Sequence, residues 1–108
     1  TVDAALRLEG EKTGEVAEGI GVAMGGVGVE KFNIESYATK YGVPLYAFLI
    51  KMRQSEALTT MTSDIYNAVQ YTTKRVLDFI STNVQPGETV LLIGVGNTVG
   101  VGQPPAAS

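Results

Sequence analysis

The residues best suited to contact a ligand lie in a glycine-rich stretch near the end of the sequence. Residues 90–103 read VLLIGVGNTVGVGQ, an apolar run followed by glycines at positions 94, 96, 100 and 102. Glycine permits positive φ angles and close backbone approach, so successive backbone N–H groups can point at an oxygen-rich ligand. The stretch therefore predicts a ligand-binding loop that contains Gly94, Gly96, Asn97 and Thr98.

A second glycine-rich stretch, MGGVGVEK at residues 24–31, ends in two charged residues. Gly25 and Gly26 predict a turn, after which Glu30 is a candidate acid or base and Lys31 a candidate anion ligand. Charged residues at a helix start are also common without any function. The functional interpretation is a site between the two glycine-rich loops that binds an anionic small molecule or a nucleotide.

Established nucleotide-binding motifs do not support this interpretation further. The G-x-G-x-x-x-G spacing after position 94 is a loose variant of the dinucleotide fingerprint, and the chain has no Gly-Lys-Ser/Thr ending of a P-loop. Pro104 and Pro105 follow too soon for a helix whose N-terminus would face a phosphate. The alternative interpretation is that these glycines only allow the strand to turn and contact no ligand.

The composition excludes several kinds of chemistry. The 108 residues contain no cysteine and no histidine, which removes thiolate nucleophiles, Ser–His pairs and the usual zinc ligands. A formal net charge of −3 gives no basic surface for a nucleic-acid backbone, so no nucleic-acid partner is expected. The longest apolar run, residues 43–50, is too short to span a membrane. No cofactor is identified, and the lack of cysteine favours a cytoplasmic location.

Two apolar segments predict buried strands of a parallel sheet. Residues 45–52, LYAFLIKM, are apolar up to Lys51 without alternation, which is typical of a central strand covered on both faces. Residues 89–93 form a second apolar segment after a Pro-Gly turn. If these strands lie side by side and point the same way, their glycine-rich exits share one edge, where ligands bind in open α/β sheets.

One helix is predicted before each of these strands. A short one begins after Asn33 as N-cap and ends at Gly42, and its apolar face contains Ile34, Tyr37, Ala38 and Tyr41. A longer one begins at Ser63 as N-cap, has Asp64 in its first turn and exposes Lys74 and Arg75 to solvent. Its inward face contains Ile65, Ala68, Val69, Thr72, Val76, Phe79 and Ile80.

The first thirty residues allow two interpretations. One is a strand around residues 20–24 that leads into the short helix. The other is a helix, although its three glycines at 14, 19 and 21 would each weaken it by up to about 1 kcal/mol. We favour a helix over residues 4–24, because a short strand would be crowded by four carboxylates, those of Glu9, Glu11, Glu15 and Glu18.

The order helix, strand, helix, strand predicts an α/β domain, a small three-layer structure with a mostly parallel sheet and helices on its faces. We expect one domain over residues 1–103 and a disordered tail over residues 104–108. Because the sequence starts at Thr1 without a methionine, we expect it to be a fragment of a longer chain. A sheet edge left exposed would permit self-association, so a structural domain that forms a homo-oligomer is an alternative function.

The segment LLIGVGN resembles the first strand and loop of hydrogenase-maturation endopeptidases and of bacterial peptidyl-tRNA hydrolases, which begin with Gly-x-Gly-Asn. The resemblance covers Gly94, Gly96 and Asn97 and implies a hydrolase, in which Asn97 positions the substrate and Glu30 or another carboxylate is the base or a metal ligand. Both families also use a histidine, which this chain lacks. A peptidase-like hydrolase is therefore a second alternative function.

Three longer segments resemble the C-terminal part of a conserved archaeal family whose function is unassigned. They are RLEGEKTGEVAEGIGVAMGGVGVEKFNIE, KYGVPLYAFLIKM and LLIGVGNTVGVGQ, and together they span nearly the whole chain. The resemblance implies a parent protein several times longer, with a membrane-proximal N-terminal part. It implies no catalytic residue.

Overall fold

A four-stranded sheet is the centre of the fold in a computed structural model of the protein, which describes residues 1–20 and 36–95. Its strands are β1 (Val2–Leu6), β2 (Val16–Gly19), β3 (Ala47–Met52) and β4 (Gly94–Val95). Two helices follow β3, α1 (Gln54–Ala57) and α2 (Ser63–Asn83), and residues 36–40 are also helical. These elements confirm the predicted α/β class.

The sheet is mixed, with the strand order β2-β3-β1-β4. β1 is parallel to β3, with Val2 opposite Phe48 and Leu6 opposite Met52. β1 is also parallel to β4, whereas β2 is antiparallel to β3. In the described part of the chain, one long helix, α2, packs against this sheet.

β3 is the buried central strand that its sequence predicts. Phe48, Ile50 and Met52 alternate with Ala47 and Leu49, and all five are at most 5% exposed. Ile50 and Met52 face α2, where they pack in a core with its Ile65 and Ala68. Because the residues of the opposite face are buried as well, the strand needs no polar alternation.

α2 is close to the predicted long helix, and its buried residues all belong to the predicted inward face. The N-cap is Thr62 and not Ser63, because the Thr62 hydroxyl accepts a hydrogen bond from the Ile65 N–H at 3.4 Å. Lys74 is exposed as predicted. The prediction that Arg75 faces solvent is wrong, because its guanidinium binds the carboxylate of Glu18 on β2.

The predicted helix over residues 4–24 is wrong in the described residues, where β1 and β2 replace it. Gly10 and Gly14 lie in the connection between them with φ angles of 88° and 90°, which a helix does not allow. The glutamates do not crowd a strand, because only Glu18 lies on β2 and it binds Arg75. Glu11 lies in the connection, 3.6 Å from the ammonium group of Lys51.

The predicted strand over residues 89–93 is also wrong. These residues are not in a strand, and Val90, Leu91 and Leu92 are 45%, 80% and 59% exposed. β4 begins only at Gly94, and β1 lies between β4 and β3. The two apolar segments therefore do not lie side by side, because β1 occupies the place beside β3 that was assigned to residues 89–93.

The helical residues 36–40 end as predicted at Gly42, which has a φ of 66°. The Val43 N–H donates to the Ala38 carbonyl at 2.8 Å and the Gly42 N–H to the Thr39 carbonyl at 3.2 Å, a Schellman motif. Tyr37 and Tyr41 are 61% and 67% exposed, so the predicted apolar face is not buried at these positions. Asn33 and Ile34 lie outside the described residues.

Candidate functional site

An ion pair and an aromatic cluster fix α2 to the β2–β3 side of the sheet. The Arg75 guanidinium donates two hydrogen bonds to Glu18, from Nη2 to Oε1 at 2.6 Å and from Nε to Oε2 at 3.1 Å. One turn further on, the Phe79 ring stacks on Tyr46, with centroids 4.0 Å apart. These contacts hold the second half of α2 over β2 and β3.

The polar groups at this contact are structural. The hydrogen bond from Arg75 holds the pKa of the Glu18 carboxyl below its ordinary value, and the Tyr46 hydroxyl donates to the same carboxylate at 3.2 Å. Burial, together with the charge of Glu18, raises the pKa of Tyr46. Near neutral pH the acid is therefore ionised and the phenol protonated, so neither group is suited to exchange a proton with a substrate.

A cavity of about 330 Å³ remains between α2 and the β1–β4 side of the sheet. Its floor contains Val2, Ala4 and Ile50, and α2 contributes Val69 and Val76 to its wall. Its side-chain lining is mainly apolar. Asp3 also borders the cavity, but side chains alternate along a strand, so its carboxylate projects to the face opposite Val2 and Ala4.

Two threonines on α2 place hydroxyl groups beside this cavity. The Thr72 hydroxyl donates to the Ala68 carbonyl at 2.7 Å, and the Thr73 hydroxyl donates to the Val69 carbonyl at 2.8 Å. Because both protons are committed to the helix backbone, these hydroxyls can only accept hydrogen bonds from a ligand. Among the described residues around the cavity, no side chain is placed to act there as a nucleophile or a base, so the arrangement is suited to binding.

One residue of the predicted ligand set, Gly94, lies in the described part of the chain, and it lines this cavity. A Cβ atom added to Gly94 would meet nothing within 4 Å, and its φ is not positive, so the backbone does not require glycine there. The other predicted residues lie outside the described residues; they are Gly25, Gly26, Glu30, Lys31, Gly96, Asn97 and Thr98.

Gly94 lies at the other end of the parallel strands from the one predicted. It is opposite Val2, and Val2 in turn is opposite Phe48, so Gly94 is beside the amino-terminal ends of β1 and β3. The prediction assumed an apolar strand that ends at Gly94. Because a strand begins there, the rule that ligands bind at the carboxyl ends of parallel strands does not apply to Gly94.

The cavity itself was not predicted from the sequence. Thr72 was correctly predicted on the inward face of α2, but helical periodicity does not reveal whether a facing strand fills the space opposite. The adjacent residues Thr72 and Thr73 were the one sequence feature that indicated polar side chains along this mostly apolar face of the helix.

Residues 1–20 and 36–95 contain neither a cluster of metal ligands nor a membrane-spanning helix. No three potential acidic ligands come together there in a way that could bind a metal ion. Over the same residues, no helix has the length and apolar character needed to cross a bilayer.

The sequence comparison identifies a family and no activity. A family model described as the C-terminal part of a domain of unknown function (DUF1512) matches residues 1–102. No curated protein and no solved structure matches the chain. The likeness to the C-terminal part of a family of unassigned function is thereby confirmed, whereas the archaeal origin and the likeness to hydrolases remain predictions. With 102 of 108 residues matched, the chain belongs to the DUF1512 family, of which it is the C-terminal domain.

Proposed function

We propose that this domain binds a small, mostly apolar molecule in the cavity between α2 and the β1–β4 side of the sheet. The observation that supports the proposal is the position of Gly94, which was predicted to contact a ligand and lines an apolar cavity of about 330 Å³. Small-molecule sites are mainly apolar hollows of roughly 300–1,000 Å³ with few polar groups. The cavity has this size and this lining.

The lining favours a ligand whose buried part is uncharged. A charge transferred into an apolar site loses its hydration, and the described lining contains no Lys or Arg that could pair with an anion in return. A hydroxyl or amide N–H on the ligand can donate to Thr72 or Thr73, whose hydroxyl oxygens are acceptors. An anionic group of such a ligand would have to lie outside the cavity.

The two glycine-rich stretches are proposed to contact that outer group. In this extension, backbone N–H groups near Gly96 and Gly25 bind the anionic part of a small molecule or nucleotide, and Lys31 neutralises it. Asn97, Thr98, Gly26 and Glu30 complete the proposed set. A mostly parallel, three-layer arrangement of the entire chain and a cytoplasmic location belong to the same proposal.

Two substitutions of different size at Gly94 test the binding site. Val2, opposite Gly94, faces α2, so a side chain at position 94 projects into the same space. An uncharged fluorescent probe, N-phenyl-1-naphthylamine, is titrated into the wild type, Gly94→Ala and Gly94→Leu. We expect Gly94→Ala to bind the probe like the wild type and Gly94→Leu to bind it at least about tenfold more weakly, because the leucine side chain occupies part of the space that the probe needs.

Unchanged binding by Gly94→Leu, in a variant that retains the wild-type circular dichroism spectrum, would contradict the proposal. The same would follow if no wild-type binding of the probe were saturable. The Gly94→Ala variant is the matched control, because it removes glycine without closing the space.

Self-association is a second candidate function. Residues 90–92 are exposed and apolar, contain no charge and lead directly into β4, the last strand of the described sheet. Exposed apolar residues beside a sheet edge favour pairing with a second copy. Sedimentation of wild type against Leu91→Asp tests this, with Leu58→Asp, another exposed leucine, as control. A wild type that stays monomeric at all accessible concentrations would contradict it.

A peptidase-like hydrolase remains a proposal based on the Gly-x-Gly-Asn sequence. Full activity of an Asn97→Ala variant against a responsive substrate would remove its main support.

A further inference from the structure

Two arginines occupy equivalent positions just beyond the carboxyl ends of the neighbouring parallel strands β1 and β3. The register ends with Leu6 opposite Met52. The Arg7 N–H then donates to the Met52 carbonyl at 2.9 Å, and Arg53 retains extended backbone angles, φ −78° and ψ 153°. In a parallel ladder this bond completes the Leu6–Met52 pair, so Arg7 and Arg53 are the residues that directly follow the last pair.

Two positively charged residues therefore follow the ends of adjacent parallel strands at neighbouring positions. Residues at one register position project to the same face, and neighbouring strands lie about 4.8 Å apart. Like charges in that arrangement are destabilising unless an anion lies between or beside them. In the described part of the chain, neither guanidinium has a carboxylate within 4.0 Å, because the ion pairs there join Lys51 to Glu11 and Arg75 to Glu18 and Asp78.

One carboxylate, that of Glu56 on α1, is within electrostatic reach of both arginines. Its Oε1 accepts hydrogen bonds from the Thr13 hydroxyl at 2.6 Å and from the Arg53 N–H at 2.8 Å. These two bonds, together with the charges of Arg53 and Arg7, lower the pKa of Glu56. An internal carboxylate therefore already occupies part of the positive region beyond the strand ends.

The connection that borders this region is held in place by short-range hydrogen bonds. The Leu8 N–H donates to the Glu11 carboxylate at 2.5 Å, and the Glu11 N–H donates to the Leu8 carbonyl at 3.0 Å. The Gly14 N–H donates to the Lys51 carbonyl of β3 at 2.8 Å. A ligand that binds here would meet a loop whose backbone is already ordered, which reduces the entropic cost of binding.

We propose that Arg7 and Arg53 form an oxyanion-binding site, for the carboxylate or phosphate group of a small molecule, with Glu56 as an internal competitor for the same charges. The site lies where ligands bind in open α/β sheets, beyond the carboxyl ends of adjacent parallel strands. A guanidinium matches carboxylate and phosphate oxygens with two parallel N–H groups. None of Arg7, Arg53, Thr13 and Glu56 lines the apolar cavity, so the site is independent of that cavity.

A titration followed by two-dimensional ¹H–¹⁵N NMR tests this site. Inorganic phosphate and, in a second arm, succinate are added at constant ionic strength to wild type, Arg7→Gln, Arg53→Gln, Glu56→Gln and Lys74→Gln. Lys74 is an exposed lysine on α2, so its variant makes the same charge change away from the site. The two arms establish whether phosphate or carboxylate is preferred.

We expect saturable shifts confined to the segments around residues 7 and 53 in the wild type. Arg7→Gln and Arg53→Gln are each expected to lower the affinity by about fivefold or more, and Lys74→Gln by less than about twofold. Removal of the competing charge in Glu56→Gln is expected to raise the affinity several-fold. The spectrum of each variant without ligand shows whether the fold is retained.

Three results would overturn the inference. The first is a non-saturable shift spread over the whole spectrum with both anions. The second is an equal loss of affinity in Lys74→Gln and Arg7→Gln. The third is a weaker affinity in a folded Glu56→Gln variant, because Glu56 would then support the anion and not compete with it.

Discussion

Arg75 and Glu18, 57 residues apart in the chain, form a doubly hydrogen-bonded ion pair that joins α2 to β2. The pair lies on the half of the sheet that α2 covers closely, where Tyr46 and Phe79 also stack. The cavity lies on the other half, between α2 and β1. The ion pair therefore lies on the closed half of the sheet, and the cavity lies on the open half.

The ion pair makes stability depend on pH. Because the pKa of Glu18 is lower in the folded state than its ordinary value, its contribution is fully present above the unfolded pKa, near pH 4.5. The contribution is lost as the pH falls through the folded pKa. We expect urea unfolding to show a smaller loss of stability for Glu18→Gln than for wild type between about pH 6 and pH 3. Identical pH profiles would contradict the assigned role of Glu18.

Gly10 and Gly14 allow a matched test of the connection between β1 and β2. Their φ angles are nearly equal, 88° and 90°, so alanine is strained at both positions, by about 1–2 kcal/mol. Only at Gly14 does an added Cβ also approach another element, 3.1 Å from the Asp64 carbonyl oxygen of α2. We expect Gly14→Ala to lower the free energy of unfolding more than Gly10→Ala. Equal losses of stability in the two variants would contradict the close contact between Gly14 and α2.

A substitution at Gly94 is expected to raise the free energy of unfolding, because the space beside this residue is open. Glycine is unfavourable within a strand, and nothing lies within 4 Å of an added Cβ. We expect Gly94→Val to raise the free energy of unfolding by roughly 0.5–1 kcal/mol, measured by chemical denaturation. A clear decrease would show that the cavity is already filled.

Two apolar residues of α2 are expected to differ strongly on truncation. Ile65 is 2% exposed in the core, so Ile65→Ala should cost about 2–5 kcal/mol through lost burial and a new void. Leu77 is 62% exposed, so Leu77→Ala should change the free energy of unfolding by less than about 0.5 kcal/mol. Thermal or urea unfolding measures both. A large loss for Leu77→Ala would indicate that this residue is covered in solution.

Local patterns predicted some parts of the fold well. The periodicity of residues 63–83 and the unbroken apolar run around Leu49 depend on near neighbours along the chain, so α2 and β3 were recognised. The end of the helical residues 36–40 at Gly42 was also predicted, because a positive φ there favours glycine. The first twenty residues were misjudged, because charge density alone could not show that Arg75 and Lys51 bind two of the glutamates.

The candidate sites depended more strongly on tertiary structure. The sequence alone determined the absence of histidine and cysteine chemistry, the inward face of α2 and the buried character of β3. Only the tertiary structure decided that β1 lies between β3 and β4, which places Gly94 beside a cavity and puts Arg7 and Arg53 just beyond the ends of two adjacent parallel strands. Strand order is set by contacts between residues far apart in the chain, and propensity and periodicity report only on residues a few positions apart.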